Sequence, residues 1–200
     1  MSTGVISCSE ESTQVSSTEL DTLDIPLIDM AELNKVRLAN KKKNLKYIHY
    51  GMIQIGLVPL FDKGIDSPTF VAVIDKRFKK FKDQLIGGMQ TNLHNGPAWF
   101  KVHPNFCMAL DDPLLSRALC LRIKTLGMDK MIESGKHLAI HKRVIYRLIN
   151  TTNPHVKEVS KVSSVFELTN PEIQTFSRKD IVPTQLTWPT SWVIDRKSVV

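Results

Sequence analysis

Two neighbouring stretches decide the fold: YIHYGMIQIGLVP at residues 47–59 and TFVAVID at 69–75. Both are crowded with β-branched and aromatic side chains, the kinds that suit a pleated, half-buried surface. Between them, Lys63-Gly64 and Asp66-Ser67-Pro68 supply turn chemistry, so the pair reads as two strands joined by a turn. The same texture continues downstream. Asn95-Gly96 is a tight-turn signal from which Trp99–His103 leaves as a strand. Pro104-Asn105 breaks the chain before Phe106–Leu110, and Asp111-Asp112-Pro113 ends that run. Leu115–Leu126 admits two readings, a strand from its period-two alternation or a helix starting near Pro113. Met128–Glu133 reads as one helical turn, and His137–Ile149 as a long strand. Seven or eight short strands with few helices predict a mainly all-β chain, a jelly-roll-like β-sandwich with one or two short helices.

Toward the N-terminus the character changes. Residues 1–34 hold seven acids and no Lys or Arg, which predicts a disordered acidic arm. Ile25–Asn40 carries spaced apolar residues (Ile28, Leu33, Val36) and reads as one short helix or a lead-in segment. The sandwich core is expected over 35–168, and 169–200, with Pro171, Pro183 and Pro189, as an extended C-terminal tail. No apolar run reaches the ~18–20 residues a spanning helix needs, and the first twenty residues lack the pattern of a secretory signal. Three scattered cysteines (Cys8, Cys107, Cys120) suit neither a disulfide framework nor a zinc ribbon, as in a reducing, cytosolic setting.

Charge is unevenly placed. All 27 basic residues lie in 35–200, against 13 of the chain's 20 acids, so that part has a net charge of +14. Such a field attracts polyanions, nucleic acid or an anionic membrane surface, although it also serves simple solvation. Two clusters concentrate it. Lys41, Lys42 and Lys43 precede the first strong strand, while Lys76, Arg77, Lys79, Lys80 and Lys82 follow the second, interleaved with Phe78 and Phe81. Core packing is the expectation for the two rings, since large apolar side chains are more often buried, and phosphate binding for the cations. Five phosphate contacts on a single strand would give a salt slope near about −3.5.

Catalytic patterns are not found. Gly135-Lys136-His137 lacks the first glycine and the hydroxyl of a phosphate-binding loop. His137 and His141 in a strand stand ~13 Å apart, too far to share one metal. Cys107 and Cys120 sit in apolar runs, where cysteine acts as a small core residue. The sequence therefore reads as a non-enzymatic binder with no cofactor and no metal. A nuclease would need clustered carboxylates for its metal ions, and Asp111-Asp112 reads as a turn.

The ordered series of blocks carries a resemblance. Strand 47–57 is followed by the apolar strand Phe70–Ile74 ending in Asp75, then Gly87-Gly88, Asn92-Leu93, Gly96, Trp99-Phe100, Pro104-Asn105-Phe106, Leu110-Asp111, Leu119–Gly127 with Met131 and Gly135, and the basic strand His137–Leu148. This resembles the thirty-kilodalton superfamily of plant-virus cell-to-cell movement proteins, over about residues 45–150. Asp75 matches its strand-end aspartate, and Gly87 or Gly88 its downstream glycine. The resemblance implies a jelly-roll-like core and sequence-nonspecific binding of a single-stranded RNA or DNA viral genome. It further implies self-association, contact with host membrane or plasmodesmal proteins and with viral capsid protein, and residence at plasmodesmata and in the cytoplasm in membrane-associated form. Family members usually run longer, as if this chain were a fragment or a short variant. For Asp75 the residues themselves suggest a structural role, accepting N–H bonds in the next turn or pairing with Arg77. The alternative reading is a capsid-type jelly-roll structural protein, although capsid arms are commonly basic and this one is acidic.

Overall fold

The computed structural model describes residues 5–16, 24–40, 43–126, 135–152, 163–164 and 174–177. Its elements are β1 (Val5–Val15), β2 (Asp24–Pro26), α1 (Met30–Asn40), β3 (Tyr47–Pro59), β4 (Pro68–Asp75), α2 (Phe81–Gln84), β5 (Leu85–Asn92), β6 (Ala98–Val102), β7 (Phe106–Ala109), α3 (Leu115–Ala118), β8 (Leu119–Thr125), β9 (Leu138–Ile149), β10 (Ser163–Ser164) and β11 (Gln174–Ser177). They form two antiparallel sheets. One runs β1-β9-β3-β6-β10, with β7 also on β3, and the other β11-β5-β4-β8-β2. The chain crosses between sheets from β3 to β4, β5 to β6, β7 to β8 and β8 to β9, the winding of a jelly-roll-like sandwich. The first helical turn expected over 128–133 lies outside the described residues, as does most of the expected tail.

Strand β3 shows how the sequence positions the core. Ile48 and Tyr50 point inward, and so do Ile53, Ile55 and Leu57, although the two sets differ in parity. A bulge between Tyr50 and Met52, opposite β9, inserts the extra residue that restores the apolar side chains to the inner face. Gly51 stands at this bulge, where a residue without a side chain bends easily. Strand β4 is buried from Thr69 to Asp75 and reads as a continuous apolar run for that reason. Its Val71 and Val73 join the main core, while Phe70, Ala72 and Ile74 face away into a second cluster with Leu85 and Cys120. Leu115–Leu126 contains both expected forms, α3 leading directly into β8.

Helix α1 begins where Asp29 Oδ1 accepts the backbone N–H of Glu32 at 2.7 Å, an N-terminal cap that the Asp-x-x-Glu spacing provides. It buries Leu33 and Val36, the spaced residues that suggested it. Arg37 then donates to the Leu110 carbonyl at 2.8 Å, fixing the helix across the end of the sandwich.

The acidic N-terminal arm is where the structure corrects the sequence reading. Val5–Val15 is not disordered: it pairs with β9 residue for residue, from Val5 opposite Leu148 to Val15 opposite Leu138. Composition alone misses this because the acids meet their partners on β9, Glu10 opposite Arg143 and Glu11 opposite Lys142. Lys142 points into the sandwich, 5% exposed, and donates to the Pro26 carbonyl at 2.7 Å and to the Glu11 carboxylate at 2.8 Å. One lysine thus links β9 of the first sheet to β2 of the second and to the edge strand β1. Replacing Glu11 with Ala leaves that buried ammonium with a carbonyl alone. Thermal unfolding should register a loss of about 1–2 kcal/mol, discounted because Glu11 itself is half-exposed.

Candidate nucleic-acid interface

The second basic cluster occupies the connection from β4 to β5, with Lys82 inside the short α2, and Asp75 organises it. Buried at the strand end, Asp75 accepts the Arg77 backbone N–H at 3.1 Å and its guanidinium in a two-pronged pair, Nε at 2.9 Å and Nη2 at 2.6 Å. The hydrogen bonds that Arg77 donates to the Asp75 carboxylate raise its pKa further, so this cation is permanent. Its guanidinium carbon stands 5.7 Å above the Phe106 ring. The structural reading of Asp75 is the one the geometry supports.

Lys76 is also engaged. Its Nζ lies 3.0 Å from Asp24 Oδ2, and Arg122 holds the same carboxylate through Nε at 2.8 Å and Nη2 at 2.9 Å. Burial pushes the Asp24 pKa up, but hydrogen bonds from Arg122 and Lys76 outweigh it and the net shift is downward. Two of the five cations therefore anchor the loop. Lys79, Lys80 and Lys82 are exposed, and among the described residues they enter no ion pair.

The two phenylalanines part company. Phe81 packs against the second cluster, as expected, whereas Phe78 is 40% exposed. The expected core packing fails for Phe78 because α2 starts only at Phe81, leaving Phe78 in the preceding turn. In the first basic cluster, Lys41 and Lys42 lie outside the described residues, and Lys43 is exposed in the turn after α1. Lys43 and the second cluster occupy the same end of the sandwich. Phe106, beneath Arg77, pairs with Tyr50 near the start of β3. Gly87 and Gly88 are buried within β5, opposite Val73 and Ala72, and far from solvent chemistry.

Of the two cysteines expected in the core only Cys120 is buried, Cys107 being half-exposed on β7; burial pushes the Cys120 thiol up to about 11 and raises the Cys107 pKa as well, the opposite of what activates a nucleophile. Asp112 serves the turn, accepting the Leu114 backbone N–H at 2.8 Å. Among the described residues no group of three or more His, Cys, Asp or Glu could hold a metal ion, and no helix is long and apolar enough to cross a membrane.

Sequence reasoning missed the outer face of the first sheet. Trp99 of β6 and His141 of β9 flank Gly56 of β3 in register, and the two rings lie 5.5 Å apart at 27°. A side chain at position 56 would fall inside the Trp99 ring, so the indole lies flat on the glycine. One step along, Lys101, Gln54 and Arg143 form the next row. The signal was present in β9, whose period-two pattern puts His141, Arg143 and Arg147 on one side.

A model of the viral movement protein family matches residues 4–165. The movement protein of Cauliflower mosaic virus (strain BBC) is 34% identical over 131 residues, covering 64% of this chain and 40% of the relative. That of Carnation etched ring virus is 28% identical over 179 residues, covering 86% of this chain and 54% of the relative. The chain thus spans about half or less of the relatives' own length. Among solved structures, a chain of the giant freshwater prawn Macrobrachium rosenbergii nodavirus semi-empty virus-like particle is similar at TM-score 0.42 and 9% identity, covering 76% of this chain and 87% of that one.

The Asp75 pair generates one expectation and the Asp24 pair another. Asp75→Ala should lower the thermal midpoint, at about 2 kcal/mol, and impair folding before any binding. Asp24 has a folded pKa below its ordinary value of 3.8, so the stability it contributes is present above that pH and lost as pH falls through the folded pKa. Asp24→Asn should therefore be less stable than the parent by about 1 kcal/mol at pH 7, and the gap should close in melts taken at successively lower pH below the ordinary carboxylate value of 3.8.

Proposed function

The chain belongs to the viral movement protein family, and on that premise we propose that it binds single-stranded nucleic acid without sequence preference and carries viral genome between plant cells through plasmodesmata. The observation that carries the binding half is the division of labour in the connection from β4 to β5. Asp75 and Asp24 hold Arg77 and Lys76 against the sandwich, which presents Lys79, Lys80 and Lys82 to solvent on a loop of defined shape. Lysines placed this way meet phosphates, which lie on every nucleotide, so affinity follows charge and not sequence. The net charge of +14 over residues 35–200 adds long-range attraction of the same sign.

The rest of the reading rests on family membership. It comprises self-association, contact with host membrane or plasmodesmal proteins and with capsid protein, and a membrane-associated location at plasmodesmata and in the cytoplasm. Both RNA and DNA suit a phosphate-reading surface. Catalysis has no part in the proposal, because coating and carrying a genome require no bond to be made or broken.

Anisotropy titrations of labelled oligothymidylate and oligouridylate across a salt series test the binding. Changing Lys79, Lys80 and Lys82 together to Ala should weaken binding alike on both probes and flatten the salt slope by about 2, at ~0.7 per phosphate contact. An unchanged slope would remove the loop from the interface. For transport, the chain co-expressed in leaf epidermis with a fluorescent virus lacking its own movement function should turn single infected cells into clusters. Confinement to single cells, with intact protein present, would count against it.

A further inference from the structure

We propose that the outer face of the first sheet carries a second contact for the same ligand, a nucleobase stacking tile made by Trp99 and His141 over Gly56. The inference rests on the single-strand reading above and adds to it a site that reads bases as flat surfaces. Three adjacent strands build the tile. Trp99, Gly56 and His141 are direct neighbours across β6, β3 and β9, so they share one face. Gly56 lets the indole lie on the backbone, since any side chain there would occupy the ring's place. Trp99 and His141 are stacked, tilted by 27° with ring centroids 5.5 Å apart, so the imidazole extends the aromatic surface that the indole begins.

Both Trp99 and His141 are partly exposed. Beside them the next row holds Lys101 and Arg143 on either side of Gln54. Two residues along a strand is ~7 Å, so a base lying on the tile has its own phosphate within reach of two cations. Arg147 continues the positive line on β9, and Glu10, opposite Arg143 on β1, is the one acid that faces this side from the neighbouring strand. A flat aromatic surface bordered by cations is what sequence-tolerant single-strand binding uses, because every base has a π face. The tile and the lysine loop therefore do different things: the loop sets the salt dependence, and the tile adds affinity that salt does not screen.

The test uses the full chain and oligothymidylate. Trp99→Ala should weaken binding about tenfold while leaving the salt slope unchanged, and Trp99→Phe should restore part of the loss. Thermal melts establish that both variants fold. A second readout follows the indole directly: in a chain with Trp188 and Trp192 changed to Phe, oligothymidylate should quench the remaining fluorescence saturably. If the parent binds and the Lys79/Lys80/Lys82 variant loses binding, yet Trp99→Ala binds like the parent and the fluorescence of the chain that keeps only Trp99 stays constant, the tile is overturned and the single-strand reading stands. If the parent binds neither probe, both fall. A concentration-dependent shift of Trp99 emission without oligonucleotide, unaltered when it is added, would assign the face to contact between copies and also overturn the tile.

Discussion

Strand β3 has to find partners for both of its edges along thirteen residues, and most of the sandwich follows from how it does so. Its backbone donors and acceptors lie in the middle of a sheet, where any left unpaired would be costly. One edge is filled by β9 over nearly its whole length. The other is shared, β7 covering the first part and β6 the second. Because β9 is then fixed, its far edge becomes the place where β1 adds. The inward alternation of β3 also sets the core, and the bulge at Gly51 keeps that alternation correct on both sides of the bend.

Much of this was legible in the sequence. Residues 47–59 and 69–75 announce themselves through β-branched and aromatic content, and the structure starts and ends β3 where the residues do. Asp75 was readable too, because an aspartate two residues before an arginine at a strand end has few better uses than the turn it makes. The arm was not legible. Its serines, threonines and acids score as solvated chain until the opposing residues of β9 are known, and those pairings are not local. Lys142 misleads for the same reason. A lysine in an alternating strand is assigned to the outside, yet here a carbonyl and a carboxylate from distant segments make the inside tolerable. The cation cluster was located correctly as a stretch, but composition could not separate the cations that hold the loop from those that face water.

That separation matters for how a basic surface works. A lysine already satisfied by a carboxylate would have to give up one partner to gain another, and its contribution to phosphate binding would largely cancel. Placing Lys76 and Arg77 in pairs spends charge on rigidity and leaves neighbouring lysines displayed without competition. The first basic cluster, at the other sheet's entrance to the same end, extends this display through Lys43. Electrostatic attraction of this kind is long-ranged and undiscriminating, whereas the aromatic row on the first sheet acts only on contact. The two surfaces differ in range as well as in chemistry.

The way Trp99 rests on Gly56 also constrains how the sequence can drift. An indole that uses the empty space above a glycine makes the two positions a single unit of inheritance, although they belong to different strands. Any branch of the lineage that acquires a side chain at the first must shrink the ring at the second, and one that loses the ring is free to fill the gap. Paired loss of the glycine and the tryptophan, and not the change of either alone, is then the trace such a branch would leave in its descendants.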